Sequence, residues 1–206
     1  MSYHHGNLRQ DLLQRAAEVI AGDGIEKLSL RALARDLGVS HSAPARHFKD
    51  KTALLSALAE ESYTRVVAEL DAAMEAAGSD AMARYNAIGK ALVAFALERP
   101  AYFRAMFHPE VRNKMNDKLR ALHTTYMDRL LVGGRAAQAA GGSPGHDPEI
   151  AVLFSTAAAQ GIAQILTDTH DKRIVQGRNP ADIGREVIDI VIAPHSKMAS
   201  PQGGDA

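Results

Sequence analysis

Ser29-Leu30-Arg31-Ala32-Leu33-Ala34-Arg35-Asp36-Leu37-Gly38-Val39-Ser40-His41-Ser42-Ala43-Pro44-Ala45-Arg46-His47-Phe48 is the stretch whose spacing decides the fold. Leu30, Leu33, Ala34 and Leu37 fall at i, i+3, i+4 and i+7, the apolar stripe of a short buried-face helix. Ser29 stands where an N-cap hydroxyl accepts a backbone N–H. Gly38 sits where that helix must stop and reverse, a position that favours a residue able to take positive φ. Val39 is expected to pack between two helices, and Ser40 to cap a second, short one ending near Phe48. An amphipathic helix, a glycine turn and a short polar helix make the unit that docks in a DNA major groove.

Working outward, nearly every other segment also reads as helix. The first runs from about Asn7 to Ala21 with Leu12, Ala16, Val19 and Ile20 inward, and Gly22 and Gly24 end it. Asp50 caps a long helix striped by Leu54, Leu55, Leu58, Val66, Leu70, Ala73 and Met74 that fades at Gly78-Ser79-Asp80. A further helix spans about Ala81 to Glu98, and Pro100 and Pro109 bracket a short apolar piece. Another ends near Ala140 before the loop Gly141-Gly142-Ser143-Pro144-Gly145. Two last helices cover about Pro148 to Thr169 and Pro180 to Ala193. With no strand pattern anywhere, the expectation is an all-α fold of about nine helices. A three-helix DNA-binding domain over 1–53 would precede a larger helical domain over 54–193, and the tail 194–206, with little to bury, is expected to be disordered.

Formal net charge is zero, so any nucleic-acid face must be local. From Leu28 to Lys51, Arg31, Arg35, Arg46, Lys49 and Lys51 stand against Asp36 and Asp50, a local excess of three positive charges beside His41 and His47. The absence of cysteine excludes disulfides and thiolate metal sites. No apolar run follows Met1, and the most apolar segment, Ala151 to Leu166, is interrupted by Ser155, Thr156, Gln160 and Gln164. No membrane span and a cytoplasmic location are therefore expected. There is no Gly-x-Ser-x-Gly, phosphate-binding glycine loop or His-Glu-x-x-His, and the nine histidines show no i, i+4 pair. Neither an enzyme, a metal site nor a cofactor is expected.

The pattern Ser-x-Arg-x-Leu-Ala-x-x-x-Gly-Val-Ser over 29–40, followed by His47-Phe48-x-x-Lys51-x-x-Leu54, resembles the tetracycline-repressor (TetR) family. The opening Tyr3-His4-His5-Gly6-Asn7-Leu8-Arg9 and the piece Pro100-Ala101-Tyr102-Phe103-Arg104-Ala105-Met106-Phe107 resemble one branch of it. The resemblance implies a homodimer, a pocket in the larger domain, and repression released by a small ligand. Two positions depart from the pattern. Ala45 stands where the family usually carries a Tyr that, as the family implies, bonds a phosphate; its loss removes a contact worth about 1.5–3 kcal/mol. Gln160-Gly161 stands where the branch tends to have His-Gly.

On the DNA face, Arg46, His41 and Ser42 are expected to read base edges together with Ser40, while Ala43 and Pro44 would meet thymine methyls. Ser29, Arg31, His47 and Lys51 would hold phosphates, Lys51 at the positive end of a helix dipole. Tyr3, His4, His5 and Asn7 would form an arm toward phosphate or minor groove. Effector contacts are expected from Phe95, Tyr102, Phe103, Met106, Phe107, Met115, Tyr126, Met127, Phe154 and Gln160, an adaptable, mostly apolar set. The last two helices would pair subunits: Ala157, Ala158, Ala159, Gly161 and Ala163 give one a smooth face, and Ile183, Val187, Ile190 and Val191 stripe the other. The partners expected are therefore palindromic double-stranded DNA, a small apolar effector and a second copy of the chain. The alternative is a helical dimeric small-molecule-binding protein whose helix-turn-helix is degenerate.

Overall fold

The computed structural model describes residues 7–142, 145–167 and 175–193, so the arm residues Tyr3, His4 and His5 and the tail 194–206 lie outside it. Nine α-helices and no strand occur among the described residues: α1 Leu8–Asp23, α2 Leu30–Asp36, α3 Lys51–Ala76, α4 Ala81–Glu98, α5 Pro100–Phe107, α6 Pro109–Asn113, α7 Asp117–Ala139, α8 Pro148–Thr167 and α9 Pro180–Ile192. They divide into two compact units, one of residues up to 65 with 98–124, the other of 66–97 with residues from 125 onward. The unit that holds the helix-turn-helix is thus larger than residues 1–53, because α5, α6 and the start of α7 pack into it.

In this first unit Leu12, Leu13, Ala16 and Ile20 of α1, Leu33 and Ala34 of α2, and Leu54, Leu55 and Leu58 of α3 are core residues, all essentially without solvent contact, and α1 packs on α2. Val19 and Leu30, expected inward, are only half-buried, and Leu13 takes the inward place. Arg104 on α5 donates to the Ile20 carbonyl at 2.8 Å, a second bond to an oxygen that also accepts from Gly24 N at 3.2 Å at the end of α1. Gly24 ends α1 at φ +86° and Gly38 turns the chain after α2 at φ +66°, the left-handed region where a side chain is disfavoured. Asp50 caps α3 as the sequence predicts, its Oδ1 accepting from Ala53 N at 2.8 Å. Ser29 takes the extended N-cap backbone conformation before α2, but its hydroxyl makes no capping bond.

The second unit is built on α4, α8, α9 and the remainder of α3 and α7, around Val66, Leu70, Ile88, Leu92, Phe95, Tyr126, Leu130 and Ile188. Glycines allow its helices to approach closely. A Cβ on Gly134 of α7 would lie 2.2 Å from Val152 of α8, and one on Gly184 of α9 would lie 2.5 Å from Val93 of α4. Tyr85 and Ser155 share a buried 2.6 Å hydrogen bond between α4 and α8. Since the Ser155 hydroxyl donates to the Ala151 carbonyl at 2.9 Å, the Tyr85 hydroxyl is the donor to Ser155. Burial, more than any other influence, raises the Tyr85 phenol above its ordinary pKa.

By length and composition α8 is long and apolar enough to cross a membrane, contrary to the expectation from its interrupting polar residues. Of those residues, Ser155 is less polar in context than in sequence, its hydroxyl bonding the Ala151 carbonyl one turn back in the same helix at 2.9 Å. One face of α8, through Val152, Ser155, Ala159, Ala163 and Leu166, is buried in the second unit.

Candidate nucleic-acid interface

The second element of the helix-turn-helix is tighter and shorter than its sequence predicts. Residues 41–43 form turns that lead into a single 3₁₀ turn, Pro44–Arg46. The physical reason is Pro44, which has no N–H to bond back to Ser40. Instead Ala43 N bonds Ser40 O at 2.9 Å, Arg46 N bonds Ala43 O at 3.2 Å and His47 N bonds Pro44 O at 2.9 Å, all i to i+3. Pro44 is itself buried, which removes it as a thymine-methyl contact. Phe48, 3% exposed, anchors the end of the element, and the Arg9 guanidinium stacks 5.5 Å from its ring centroid.

This tight turn leaves Ser40, His41, Ser42, Ala45, Arg46 and His47 exposed, while Ala43 is half-buried. The Ser40 and Ser42 hydroxyls share a 3.3 Å hydrogen bond, which holds both on the outer surface of the turn. Arg46 forms no ion pair with any described residue, so its five donors are available for recognition. Arg35, Ser40, Arg46 and His47 border a concave surface of about 710 Å³ that also includes Asp11. The acid within the motif, Asp36, is held by Arg15 of α1, whose Nε and Nη2 donate to one carboxylate oxygen at 3.1 and 3.0 Å. That pairing offsets the negative charge of the motif from the side of α1 and fixes α2 against it. It went unread in the sequence because Arg15 and Asp36 are 21 residues apart.

Of the residues expected to hold phosphate, Ser29, Arg31 and His47 are exposed and Lys51 is half-buried at the first position of α3. Asn7 is exposed at the start of α1. Beside Lys51, the Thr52 hydroxyl donates to Glu110 Oε2 of α6 at 2.7 Å. That bond is the largest influence holding the Glu110 carboxyl below the ordinary range, and the charges of Lys114, His108 and Lys51 act in the same direction. No sequence pattern pointed to Glu110, because it comes from a segment 58 residues further along.

The ten residues expected to contact an effector are divided between the units. Tyr102, Phe103, Met106, Phe107 and Met115 belong to the first, and Phe95, Tyr126, Met127, Phe154 and Gln160 to the second. Phe95, Phe103, Met106 and Tyr126 are enclosed in the cores, with at most 2% exposure. Phe103 packs on Phe107 at 4.9 Å between ring centroids, and Arg65 covers the Tyr102 ring at 4.8 Å. Met115, Met127 and Gln160 are half-buried, and Phe154 is exposed. A cavity in the second unit, bordered by Met82, Tyr85, Phe154 and Ser155, measures only about 30 Å³. That is room for a water and not for an organic effector. Among the described residues no cluster of three His, Cys, Asp or Glu could hold a metal ion.

Comparison with known proteins converges on one family. Residues 12–58 match the bacterial regulatory proteins of the tetR family. Residues 85–190, just over half of the chain, match the tetracyclin repressor-like C-terminal domain. A solved structure of a protein with unknown function from Rhodococcus sp. RHA1 is 35% identical, with a TM-score of 0.73 over 93% of this chain and 97% of that one. A tetR-family bacterial regulatory protein from Rhodococcus RHA1 shares the fold at 21% identity, with a TM-score of 0.72 over 91% of this chain and 96% of that one. The nucleoid occlusion factor SlmA of Aliivibrio fischeri (strain MJ11) is 27% identical over 125 residues, 60% of this chain and 63% of that protein. The chain thus spans less than two thirds of the length of that relative. A helix-turn-helix followed by a helical C-terminal domain, each matched in its own right, places this chain in the tetR family of regulatory proteins.

Proposed function

We propose that the chain is a repressor that binds a palindromic operator as a homodimer and is released by a small, largely apolar effector. The observation that carries this reading is the exposed row His41, Ser42, Ala45, Arg46 and His47 on a turn anchored by buried Pro44 and Phe48. A rigid scaffold beneath exposed donors is what base readout needs, and Arg46 is the residue best suited to a guanine edge. Ser29, Arg31, His47 and Lys51 would set the register on phosphates. Exposed Ala45 presents a methyl group where a phosphate anchor is missing, so affinity rests on these basic contacts.

The dimer part of the proposal is supported by α8 and α9, with the facing residues revised. Ala159, Ala163 and Ile183, expected at the subunit interface, are buried inside the second unit. The outer face of α8 carries Ile150, Leu153, Phe154 and Ile165, between 47% and 64% exposed, and α9 carries Ile190 at 68%. Apolar side chains at i, i+3, i+4 and i+15 form one stripe, and a stripe of this kind left open on a helix marks an interaction surface. A twofold axis through it would pair two helices from each subunit into a four-helix bundle.

Effector release is carried by the C-terminal domain match; the cavity beside Tyr85 and Ser155, at about 30 Å³, would have to enlarge to admit a ligand. A ligand that binds the non-DNA state more tightly, by a typical coupling of about 1–3 kcal/mol, would act through α3, which contributes residues to both units. The soluble character of the family and its regulatory role favour a cytoplasmic protein without enzymatic activity. Hydroxyl-radical footprinting of a bound duplex tests the reading: two protected patches about 34–36 Å apart are expected. A single patch, or protection without position dependence, contradicts it. The latter would favour a ligand-binding protein with a degenerate helix-turn-helix.

A further inference from the structure

The contact between α6 and the start of α3 places a carboxylate where DNA phosphate is expected. Thr52 is the second residue of α3, and its hydroxyl is committed to Glu110 Oε2 at 2.7 Å, the distance of a charge-assisted O–H···O⁻ bond. A hydroxyl has one proton to donate, so Thr52 cannot serve Glu110 and a phosphate oxygen together. Lys51, the neighbouring residue, acts on the same carboxylate. Asp50 already occupies the Ala53 amide at 2.8 Å, so the positive end of α3 faces two carboxylates. Glu110 is exposed and belongs to the five-residue helix α6. The preceding helix α5 is tied to α1 by Arg104, which donates to the Ile20 carbonyl at 2.8 Å.

We propose that Glu110 is a built-in competitor for DNA phosphate: it holds Thr52, screens Lys51, and so makes the position of α6 a control on DNA affinity. The inference rests on the DNA-binding reading above. A carboxylate and a phosphodiester are both monoanionic oxygen acceptors, so they compete for the same hydroxyl and ammonium donors, and their like charges exclude one another. Displacement of α6 frees the Thr52 hydroxyl and removes the carboxylate charge near Lys51, whereas α6 in its observed place keeps the hydroxyl bonded and that charge present. Such a contact moves affinity on every sequence alike, because phosphate contacts carry no base information.

The test compares full-length wild type with Glu110→Gln, Glu110→Ala and, as a control for net charge, Asp117→Asn on the exposed first turn of α7. Binding to a fluorescent mixed-sequence duplex is read by anisotropy between about 50 and about 200 mM salt, with helix content checked by circular dichroism. Both Glu110 variants are expected to bind about 3- to 10-fold tighter at the lower salt, with a salt slope steeper by about one phosphate per subunit. Asp117→Asn is expected to leave the slope unchanged. Equal or weaker binding by both Glu110 variants while wild type binds overturns the inference and leaves the DNA-binding reading standing. So does an equal gain in Asp117→Asn. If neither wild type nor any variant binds DNA at low salt, the DNA-binding reading fails and the competitor role falls with it.

Discussion

Replacing Phe154 with Ala tests the proposed pairing of α8 and α9 between subunits. The ring is 59% exposed in the isolated chain. A Phe buries about 150–250 Å² when enclosed, so about 90–150 Å² of it remains to be covered by a partner. At about 25 cal/mol per Å², that area is worth about 2–4 kcal/mol. A twofold interface uses each residue twice, giving about 4–7 kcal/mol before the ordering costs of association are subtracted. With half of that lost, dimer dissociation should rise about 30- to 300-fold, since each 1.4 kcal/mol is a factor of about ten. Because the side chain contributes little to its own unit, helix content should be unchanged. Sedimentation velocity across a dilution series measures the shift. Val132 on α7, 67% exposed, provides the control, and Val132→Ala should leave the dimer intact. A monomeric wild type, or a Phe154→Ala protein that dimerises as tightly as wild type, refutes the assignment of this face.

Four further outcomes follow from the geometry. Arg46→Ala should weaken operator binding by about 1–3 kcal/mol and relax the preference at one position; uniform weakening on all sequences would make Arg46 a phosphate contact. In the Glu110→Gln background, where the carboxylate beside Lys51 is neutral, Lys51→Ala should make the salt dependence shallower by about one unit, and an unchanged slope there removes Lys51 from the interface. Gly134→Ala should destabilise by about 1–3 kcal/mol through overpacking against Val152, less the helix-propensity gain of about 1 kcal/mol, and a second change, Val152→Ala, should recover part of the loss in urea unfolding. His123 stacks edge-on against Tyr63 at 5.6 Å, and burial, then the charge of Arg112, lowers its pKa. The unfolded chain therefore binds the proton more readily, so His123 favours folding above its unfolded value near 6.5, and that contribution is lost as pH falls through the folded value. Urea titrations from about pH 7.5 to about pH 5 should show a shallower pH dependence for His123→Gln than for wild type; identical slopes would place the titration elsewhere.

The helix-turn-helix was legible because local chemistry determines it. The Leu33–Ala34–Leu37 stripe, Gly38 at φ +66° and the Asp50 cap each follow from residues within one or two turns of each other. The spacing of the recognition element reads as a helix, although Pro44 marks a tighter turn: with no N–H there, Ala43, Arg46 and His47 make i to i+3 bonds. On α8 the same periodicity describes two faces, and the sequence does not say which is inside. Small Ala159 and Ala163 turn inward where the helix packs closely in its own unit, leaving the larger Leu153 and Phe154 outside. Aromatic and methionine clustering near Phe95–Met127 was a guide to core rather than to an open pocket, since Phe95, Phe103, Met106 and Tyr126 are fully packed. Contacts between distant segments, such as Thr52 with Glu110 and Arg15 with Asp36, have no local signal at all.

Selection of bound duplexes from a random-sequence DNA library, at near-physiological and at lower salt, addresses the central claim directly. A palindromic consensus whose half-sites are centred about one helical turn, ~34–36 Å, apart is the predicted result, and it should persist at the higher salt. Salt-sensitive enrichment without a consensus, or no enrichment at all, would contradict sequence-specific regulation and show that the exposed donors around Arg46 do not read DNA.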